Sequence, residues 1–356
     1  MLFLQPSIPH YRTDFFRGVA KFYTIKVFVS SDTNRIKESK FELSTFKAVK
    51  ITSLKIGPFL LYNPLPFIIS KEGVVLMLNF CHLTTWFVLL CRRIVNRDTI
   101  LWGHGISVKR YMDESSKPSS LIKWQIKLSN LVWLYTEKEK KIWCNEGISP
   151  KKIVALDNTL SDVERILAFK PTKNKAALKI ENKIKYDRVC IFSARFTLKE
   201  RRADLLKKII EATPDVGFVI IGEGPYKPDF SVFDNVYDFG ALYDNAKKEE
   251  LFSLADIYLQ PAWLGLSIVE AMAYGLPIFT LARSKEIKQC VEYYYLEESK
   301  AGVICEDVDA LVTAINSCEQ SRLLEMGNSA RVYIADNLLM NNMVNNAVES
   351  IKSLEY

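Results

Sequence analysis

A carboxylate one turn into a helix, with a glycine just ahead of that helix, is the arrangement in this sequence best suited to chemistry. In the stretch ADIYLQPAWLGLSIVEAMAYGLPIFT (255–280), Glu270 follows Gly265, Leu266 and Ser267. The free N–H groups at Leu266–Ser267 and the positive end of the helix dipole can hold a phosphate. Gly265 lets the backbone come close to that group, because no side chain stands in the way. Glu270 can accept hydrogen bonds from sugar hydroxyls, for instance the two of a ribose. A second candidate is His104, set between Gly103 and Gly105 directly after the run TILW (99–102). Two glycines around a histidine make a tight turn with close backbone approach. The same pattern also fits a core or turn histidine without a chemical task.

The elements that must position these residues can be read from spacing. Ile257–Leu259 reads as a short buried strand. Leu266–Tyr274 has helical spacing and ends at Gly275, a natural left-handed cap; Pro277 and a strand at Ile278–Thr280 follow. Strand, helix and strand in this order form the βαβ unit of an open parallel sheet, whose ligands sit at the carboxyl ends of the strands. Further strands are expected at 1–5, 24–30, 48–53, 73–79, 99–102, 131–136, 152–156, 188–194, 216–221 and 235–240. Helices are expected at 14–21 with Thr13 as N-cap, at 137–146, at 246–253, and at 118–130 with Pro118 in its first turn. The helix at 118–130 should bury Leu121, Trp124, Ile126 and Leu128. Residues 56–70 are apolar and proline-broken, and read as an irregular lid or a short helix. The Lys- and Asn-rich stretch 160–187 reads as an interdomain linker. Residues 307–317 and 319–352 read as closing helices.

Length and composition bound the answer. The chain has 356 residues, 49% hydrophobic and 25% charged, which suits two globular domains with substantial cores. Seven scattered cysteines without a C-x-x-C pair argue for reduced core thiols of a cytoplasmic protein rather than a disulfide framework or zinc site. Three histidines are too few for a His-rich metal centre. The opening MLFLQPSIPH lacks a basic n-region and reads as a first strand, not a signal peptide. Val74–Cys91 is the most apolar stretch, but Asn79 and His82 interrupt it, so a buried strand and helix are expected there. The net charge of +7 divides into +11 over residues 1–165 and −4 over 166–356. A basic first half suggests an anionic partner: a lipid phosphate, an acidic membrane leaflet or nucleic acid. Lys109, Arg110, Lys117, Lys123 and Lys127 lie near Trp124 and Tyr111, a mixture that suits a membrane interface. No nucleic-acid motif accompanies them, so nucleic acid is not expected as a partner.

GLSIVEAMAYGLPI resembles the nucleotide-sugar motif of GT-B-fold glycosyltransferases, close to the retaining family 4 enzymes (glycosyl transferases group 1) of bacterial polysaccharide biosynthesis. Their pattern is Glu-x7-Glu. Glu270 matches the second Glu, and Ala262 stands where the first falls. ARFTLKERRADLLKKI resembles the family's segment in which an Arg and a downstream Lys bind the donor diphosphate. Arg195 matches the first; Lys199 or Arg201 fills the second place, since the loop is one residue longer. Gly222-Glu223-Gly224-Pro225 resembles the family's G-x-G-P beside the nucleobase. PSIPHYRTDFF is similar, more loosely, to the opening loop on the acceptor side, which places His10 and Arg12 toward an acceptor phosphate or sugar. His104 falls where the family has a histidine near donor sugar and acceptor.

The resemblance implies two doubly wound parallel-sheet (Rossmann-like) domains facing across a cleft. They are an acceptor-side domain at 1–160 and a nucleotide-sugar domain at 188–335, with 336–356 as a helix packing back on the first. It implies catalytic roles for His104, Arg195 and Glu270. Donor contacts would come from Arg195, Lys199, Arg201, Gly222, Gly224, Gly265, Leu266, Ser267 and Glu270. Fixed cations can stabilise the charge of a leaving nucleoside diphosphate. No Asp-x-Asp stands on a plausible loop, so neither metal nor cofactor is expected. The expected reaction moves a sugar from a nucleoside-diphosphate sugar, UDP- or GDP-linked, to a saccharide or lipid-linked acceptor in capsule or O-antigen assembly, with the basic domain at the inner membrane face. A nucleotide-sugar epimerase of the same fold and a non-catalytic glycosyltransferase-like partner are the alternatives. A nicotinamide dehydrogenase is disfavoured, because no G-x-G-x-x-G follows the first strand.

Overall fold

The short apolar runs of the sequence pair into two parallel sheets. A computed structural model describes residues 1–29, 46–109 and 116–354, and the chain divides into two units, Met1–Ser161 with Leu339–Tyr356 and Asp162–Leu338. In the first unit the strands are β1 (Leu2–Gln5), β2 (Lys26–Val29), β3 (Lys47–Lys50), β4 (Ser53–Ile56), β5 (Phe59–Tyr62), β6 (Val74–Met77), β7 (Thr99–Trp102), β8 (Leu131–Leu134) and β9 (Ile153–Ala155). Seven of them form a parallel sheet in the order β3-β2-β1-β6-β7-β8-β9, and β4 and β5 form a separate antiparallel hairpin. In the second unit β10 (Arg188–Ser193), β11 (Val216–Ile221), β12 (Val236–Asp238), β13 (Ile257–Leu259), β14 (Ile278–Leu281) and β15 (Gly302–Cys305) form a parallel sheet ordered β12-β11-β10-β13-β14-β15. The order in which successive strands are added changes direction between β1 and β6 in one sheet and between β10 and β13 in the other. Ligands of such sheets bind at these switch points.

Central strands such as β7, β8, β11 and β14 are buried along their whole length, as expected of parallel strands covered on both faces. Trp102, Trp133, Phe3, Phe15 and Phe16 fill one side of the first sheet and are at most 1% exposed. Helix Met340–Lys352 packs against helix Thr13–Ala20, and Trp133 Nε1 donates to Ser350 Oγ at 2.8 Å. In the second unit Phe192, Phe196, Leu206, Ile209, Phe279 and Leu311 belong to one core. No helix among the described residues is long and apolar enough to cross a membrane.

Several expectations need correction. Residues 53–62 are a β-hairpin, not a lid, and only Leu65–Ile69 is helical. The stretch 160–187 carries helices Val163–Ala168 and Lys175–Glu181, and lies in the second unit from Asp162 on. Its helices are hard to read because they bury so little: Leu178 is the buried residue of Lys175–Glu181, whose start is capped by Asn174 accepting from Ala177 N. Thr13 is not an N-cap but the first residue of helix Thr13–Ala20, which continues from the 3-10 turn His10–Arg12. Pro118 precedes helix Ser120–Leu128, whose N-cap position is Ser119. That helix buries Ile122, Gln125 and Ile126, while Leu121 and Trp124 are 50% and 65% exposed. The closing helix is broken into Gln320–Asn337 and Met340–Lys352.

Candidate active site

In the second unit the candidate residues gather at the β10–β13 switch point. Arg195 is exposed, two residues beyond β10. The loop that carries it is pinned by the glycine turn after β11. Phe196 N donates to Glu223 O at 3.0 Å, Tyr226 N to Phe196 O at 3.0 Å, and Gly222 N to Gly240 O at 2.7 Å. Gly222 has φ +144°, and a Cβ there would run into the carbonyl oxygen of Ala194; a Cβ on Gly224 would run into that of Phe196. These glycines therefore let two loops touch.

Lys199 and Arg201 share a 3-10 turn but part company. Lys199 is exposed, with Nζ 5.5 Å from the Tyr226 ring centroid. Arg201 is turned inward, and its Nε and Nη1 are buried without a hydrogen-bond partner among the described residues. Burial pulls its pKa down; Arg195's charge acts in the same direction, while Tyr258 and Cys290 oppose it. A guanidinium stays charged regardless. Two cations are thus close to one another at the end of a buried strand, one of them with buried donors unsatisfied.

The loop from β13 to helix Ser267–Ala273 is framed by two glutamines that are 0% exposed, Gln260 and Gln289. Gln260 Nε2 donates to Ala262 O at 3.1 Å and Trp263 O at 2.7 Å, and its Oε1 accepts from Ser267 Oγ at 2.9 Å. The Tyr258 hydroxyl lies 2.9 Å from the same Oε1 and 3.0 Å from Ser193 O, which joins β13 to the end of β10. Gln289 Oε1 accepts from Leu264 N at 2.9 Å, and Nε2 donates to Leu281 O at 2.8 Å. Trp263 takes the left-handed backbone, φ +59°. A Cβ on Gly265 would lie 3.9 Å from Cys290 Sγ, whose thiol burial keeps protonated. Cys290 also neighbours Arg201, so Gly265, Leu266 and Ser267 lie on the side of the sheet where Arg201 is held. Ala262 is 0% exposed and part of the hydrophobic core.

Glu270 is held by a residue the sequence did not suggest. Lys248 Nζ, from helix Asn245–Leu254, lies 2.6 Å from Glu270 Oε1. Burial raises the Glu270 pKa, and Lys248's charge works against that rise. Lys248 stands 22 positions upstream on another helix, and no local pattern marks it. Tyr258 and Gln260 did leave a signal: polar groups at the end of the buried run IYL, where an apolar core needs none.

In the first unit Arg12 is 8% exposed and lies among aromatic rings. Its guanidinium carbon is 4.4 Å from the Trp102 ring centroid, 4.9 Å from Tyr135 and 5.8 Å from Tyr11. Its Nη1 is buried with no hydrogen-bond partner among the described residues. His104 packs edge-on to Tyr135, ring centroids 4.5 Å apart. The pKa of His104 is pushed down to about 4, first by burial and then by the charge of Arg12. Its side chain is nonetheless exposed, and that solvent contact moderates the burial part of the shift. Glu139, 0% exposed, accepts from Gly105 N at 2.9 Å through Oε1 and from Tyr135 N at 3.1 Å through Oε2, tying the His104 turn to the β8 turn. A cavity of about 610 Å³ opens here, lined among others by Asn79, Phe80, His104, Ser107, Ser119 and Tyr135. His10 lies on the turn His10–Arg12 beyond β1, at the same end of the sheet. Of the basic cluster, Arg110 and Tyr111 lie outside the described residues, and Lys123 is paired with Glu146 at 3.0 Å.

Two parallel sheets of this order, each with its polar residues gathered beyond the strand ends, make the fold GT-B. Comparison with solved structures bears this out. The Anabaena protein HepE in complex with UDP aligns with a TM-score of 0.71 at 13% identity, covering 99% of each chain. WaaG, a glycosyltransferase involved in lipopolysaccharide biosynthesis, aligns with a TM-score of 0.60 at 14% identity, covering 97% of this chain and 98% of its own. Residues 187–321, which lie within the second unit, match the family described as glycosyl transferases group 1. The sulfoquinovosyl transferase SQD2 of Arabidopsis thaliana is 28% identical over 130 residues, which is 35% of this chain and 25% of that protein. The chain thus spans about a quarter of the length of the curated relative it matches. Among the described residues no group of three or more His, Cys, Asp or Glu is placed to hold a metal.

Proposed function

We propose that the protein is a glycosyltransferase that moves a sugar from a nucleoside-diphosphate sugar, UDP- or GDP-linked, to a hydroxyl of a saccharide or lipid-linked acceptor in cell-surface polysaccharide assembly. The observation that carries this reading is the buried guanidinium of Arg201, its donors unsatisfied, beside Arg195 at the β10–β13 switch point. A diphosphate supplies the acceptor oxygens that such donors lack. When the bond from the sugar to the diphosphate breaks, negative charge grows on the leaving oxygen. Arg195 and Arg201 stabilise it there, and the framed loop at Gly265–Ser267 offers backbone donors to the same group. Glu270, oriented by Lys248, accepts from ribose hydroxyls. In the first unit we assign His104, neutral near pH 7, to substrate contact and Arg12 to an acceptor phosphate. Two fixed cations suit metal-independent departure of the diphosphate. Retention of configuration is the outcome we assign, and the protein works in the cytoplasm at the inner membrane face.

The test is a thermal-shift screen against UDP, GDP, CMP and dTDP, then product analysis by NMR with the matching sugar nucleotide. A selective shift and an axial-to-axial product support the reading; no shift with any nucleotide overturns it. Ala262, held in the core where the resembled motif has a carboxylate, favours a second reading as a non-catalytic partner. Donor binding without transfer or hydrolysis under any acceptor would establish that reading instead.

A further inference from the structure

The hairpin β4–β5 presents apolar side chains on both of its faces. Leu54 pairs with Leu61 and Ile56 with Phe59, so these four share one face; Ser53 pairs with Tyr62 and Lys55 with Leu60 on the other. The second face is the anchored one. Tyr62 is 0% exposed, Thr84 Oγ1 accepts from Tyr62 N at 2.7 Å and donates to Tyr62 O at 2.8 Å, and Leu60 packs on the core. The first face looks outward, with Leu54, Ile56 and Phe59 all exposed. A hairpin with one solvated face should be polar there. Its tip, Gly57, stands in open space.

The elements next to the hairpin also expose large apolar side chains. Helix Leu83–Val95 packs against β5 and against helix Leu65–Ile69. It exposes Phe87, Leu90 and Ile94, spaced for one helical face, and Leu65 and Ile69 are exposed beside it. Helix Ser120–Leu128 also packs on Leu83–Val95 and adds the exposed Leu121 and Trp124. Three large apolar groups exposed together on one hairpin face mark an interaction surface. Lys47, Lys55 and Lys71 are exposed on the same elements or next to them, in the half of the chain that carries +11.

We propose that this hairpin-centred face docks on an anionic membrane surface, with Ile56, Gly57 and Phe59 entering the headgroup layer. Apolar groups fringed by lysines match acyl chains beneath negative headgroups. A second copy of the chain would bring the same positive charge against itself, which disfavours a dimer through this face. The inference deepens the membrane part of the proposed function and rests on that reading.

The test is sedimentation of the full chain with vesicles of phosphatidylglycerol mixed with phosphatidylcholine, and with phosphatidylcholine alone. Two double variants probe the face: Ile56→Glu with Phe59→Ser, and Phe87→Glu with Leu90→Ser. All four positions are exposed, so melting temperature and the nucleotide-induced shift should be unchanged. Wild-type protein is expected to bind the anionic vesicles, more weakly at high salt, and each variant on the order of tenfold less tightly. No binding to phosphatidylglycerol vesicles, or undiminished binding by both variants, overturns the proposal. Self-association in sedimentation velocity that the variants abolish also overturns it and assigns the face to a second copy. A nucleotide shift without vesicle binding sinks this inference alone; vesicle binding without any nucleotide shift sinks the donor-site reading alone.

Discussion

Replacing Arg201 by Met should move stability and ligand affinity in opposite directions. Methionine keeps most of the side chain's length and apolar stem while removing the guanidinium. Arg201 Nε and Nη1 are both buried and unpaired among the described residues. A buried donor left unsatisfied costs roughly 1–3 kcal/mol. Some packing is lost with the guanidinium, so a net gain of about 1–2 kcal/mol is expected in the ligand-free protein. For a domain of this size that raises the melting temperature by about 2–4 °C per kcal/mol. Binding should suffer, since a charge-assisted hydrogen bond contributes about 1.5–3 kcal/mol. Losing it weakens a nucleoside diphosphate by about 10- to 100-fold. At a ligand concentration about a hundredfold above the wild-type Kd, the wild-type protein gains about 2.7 kcal/mol from binding. The variant at that concentration should gain only about 0.4–1.4 kcal/mol. Scanning calorimetry with and without the nucleotide reads both quantities. A variant that melts below wild type without ligand, or that keeps the full ligand shift, would refute the reasoning.

Arg195→Ala should lower kcat more than donor affinity, because its contact strengthens as the leaving group gains charge; an unchanged kcat would count against the assignment. Lys248→Ala leaves Glu270 half-buried without its cation, at an expected cost of about 1–3 kcal/mol in chemical denaturation. Because burial raises the Glu270 pKa, that deficit should grow as pH rises through the carboxylate range, and Glu270→Gln in the same background should remove the pH dependence. His104, with an ordinary value of 6.5 pushed down to about 4, is protonated in the unfolded chain but not in the folded one between those values. Stability should therefore fall as pH drops through that window, and His104→Asn should flatten the profile there. Gly222→Ala forces a Cβ onto the Ala194 carbonyl at φ +144°, and should cost at least about 3 kcal/mol in urea unfolding. Activity should survive EDTA; loss that Mg²⁺ restores would sink the metal-independent mechanism.

What could be read in the sequence was what local chemistry forces. The strand at 99–102 agrees with β7, and the helix after Gly265 agrees with Ser267–Ala273, because apolar runs bounded by glycine and proline leave few other conformations. Long-range placement left no local trace. Leu121 and Trp124 look like a core face until the neighbouring helix is in place, and Ile122, Gln125 and Ile126 take the buried positions instead. The hairpin at 53–62 has an apolar outer face, so it lacks the alternation that reveals a half-buried strand. Lys199 and Arg201 are alike as letters; only the turn that carries them decides that one reaches solvent and the other does not. Lys248 meets Glu270 across two helices, a pairing that spacing along one helix cannot show.

Gln260 and Gln289 set the shape of the loop between β13 and helix Ser267–Ala273 before any ligand arrives. The entropy of ordering that backbone is spent during folding, so on the proposed reading an incoming diphosphate would meet donors already aimed. Under that reading, association at this loop would be governed by diffusion and charge rather than by waiting for a conformer to appear. Rigid diphosphate mimics should suit such a frame better than flexible ones, whose own freedom would be the only part left to freeze.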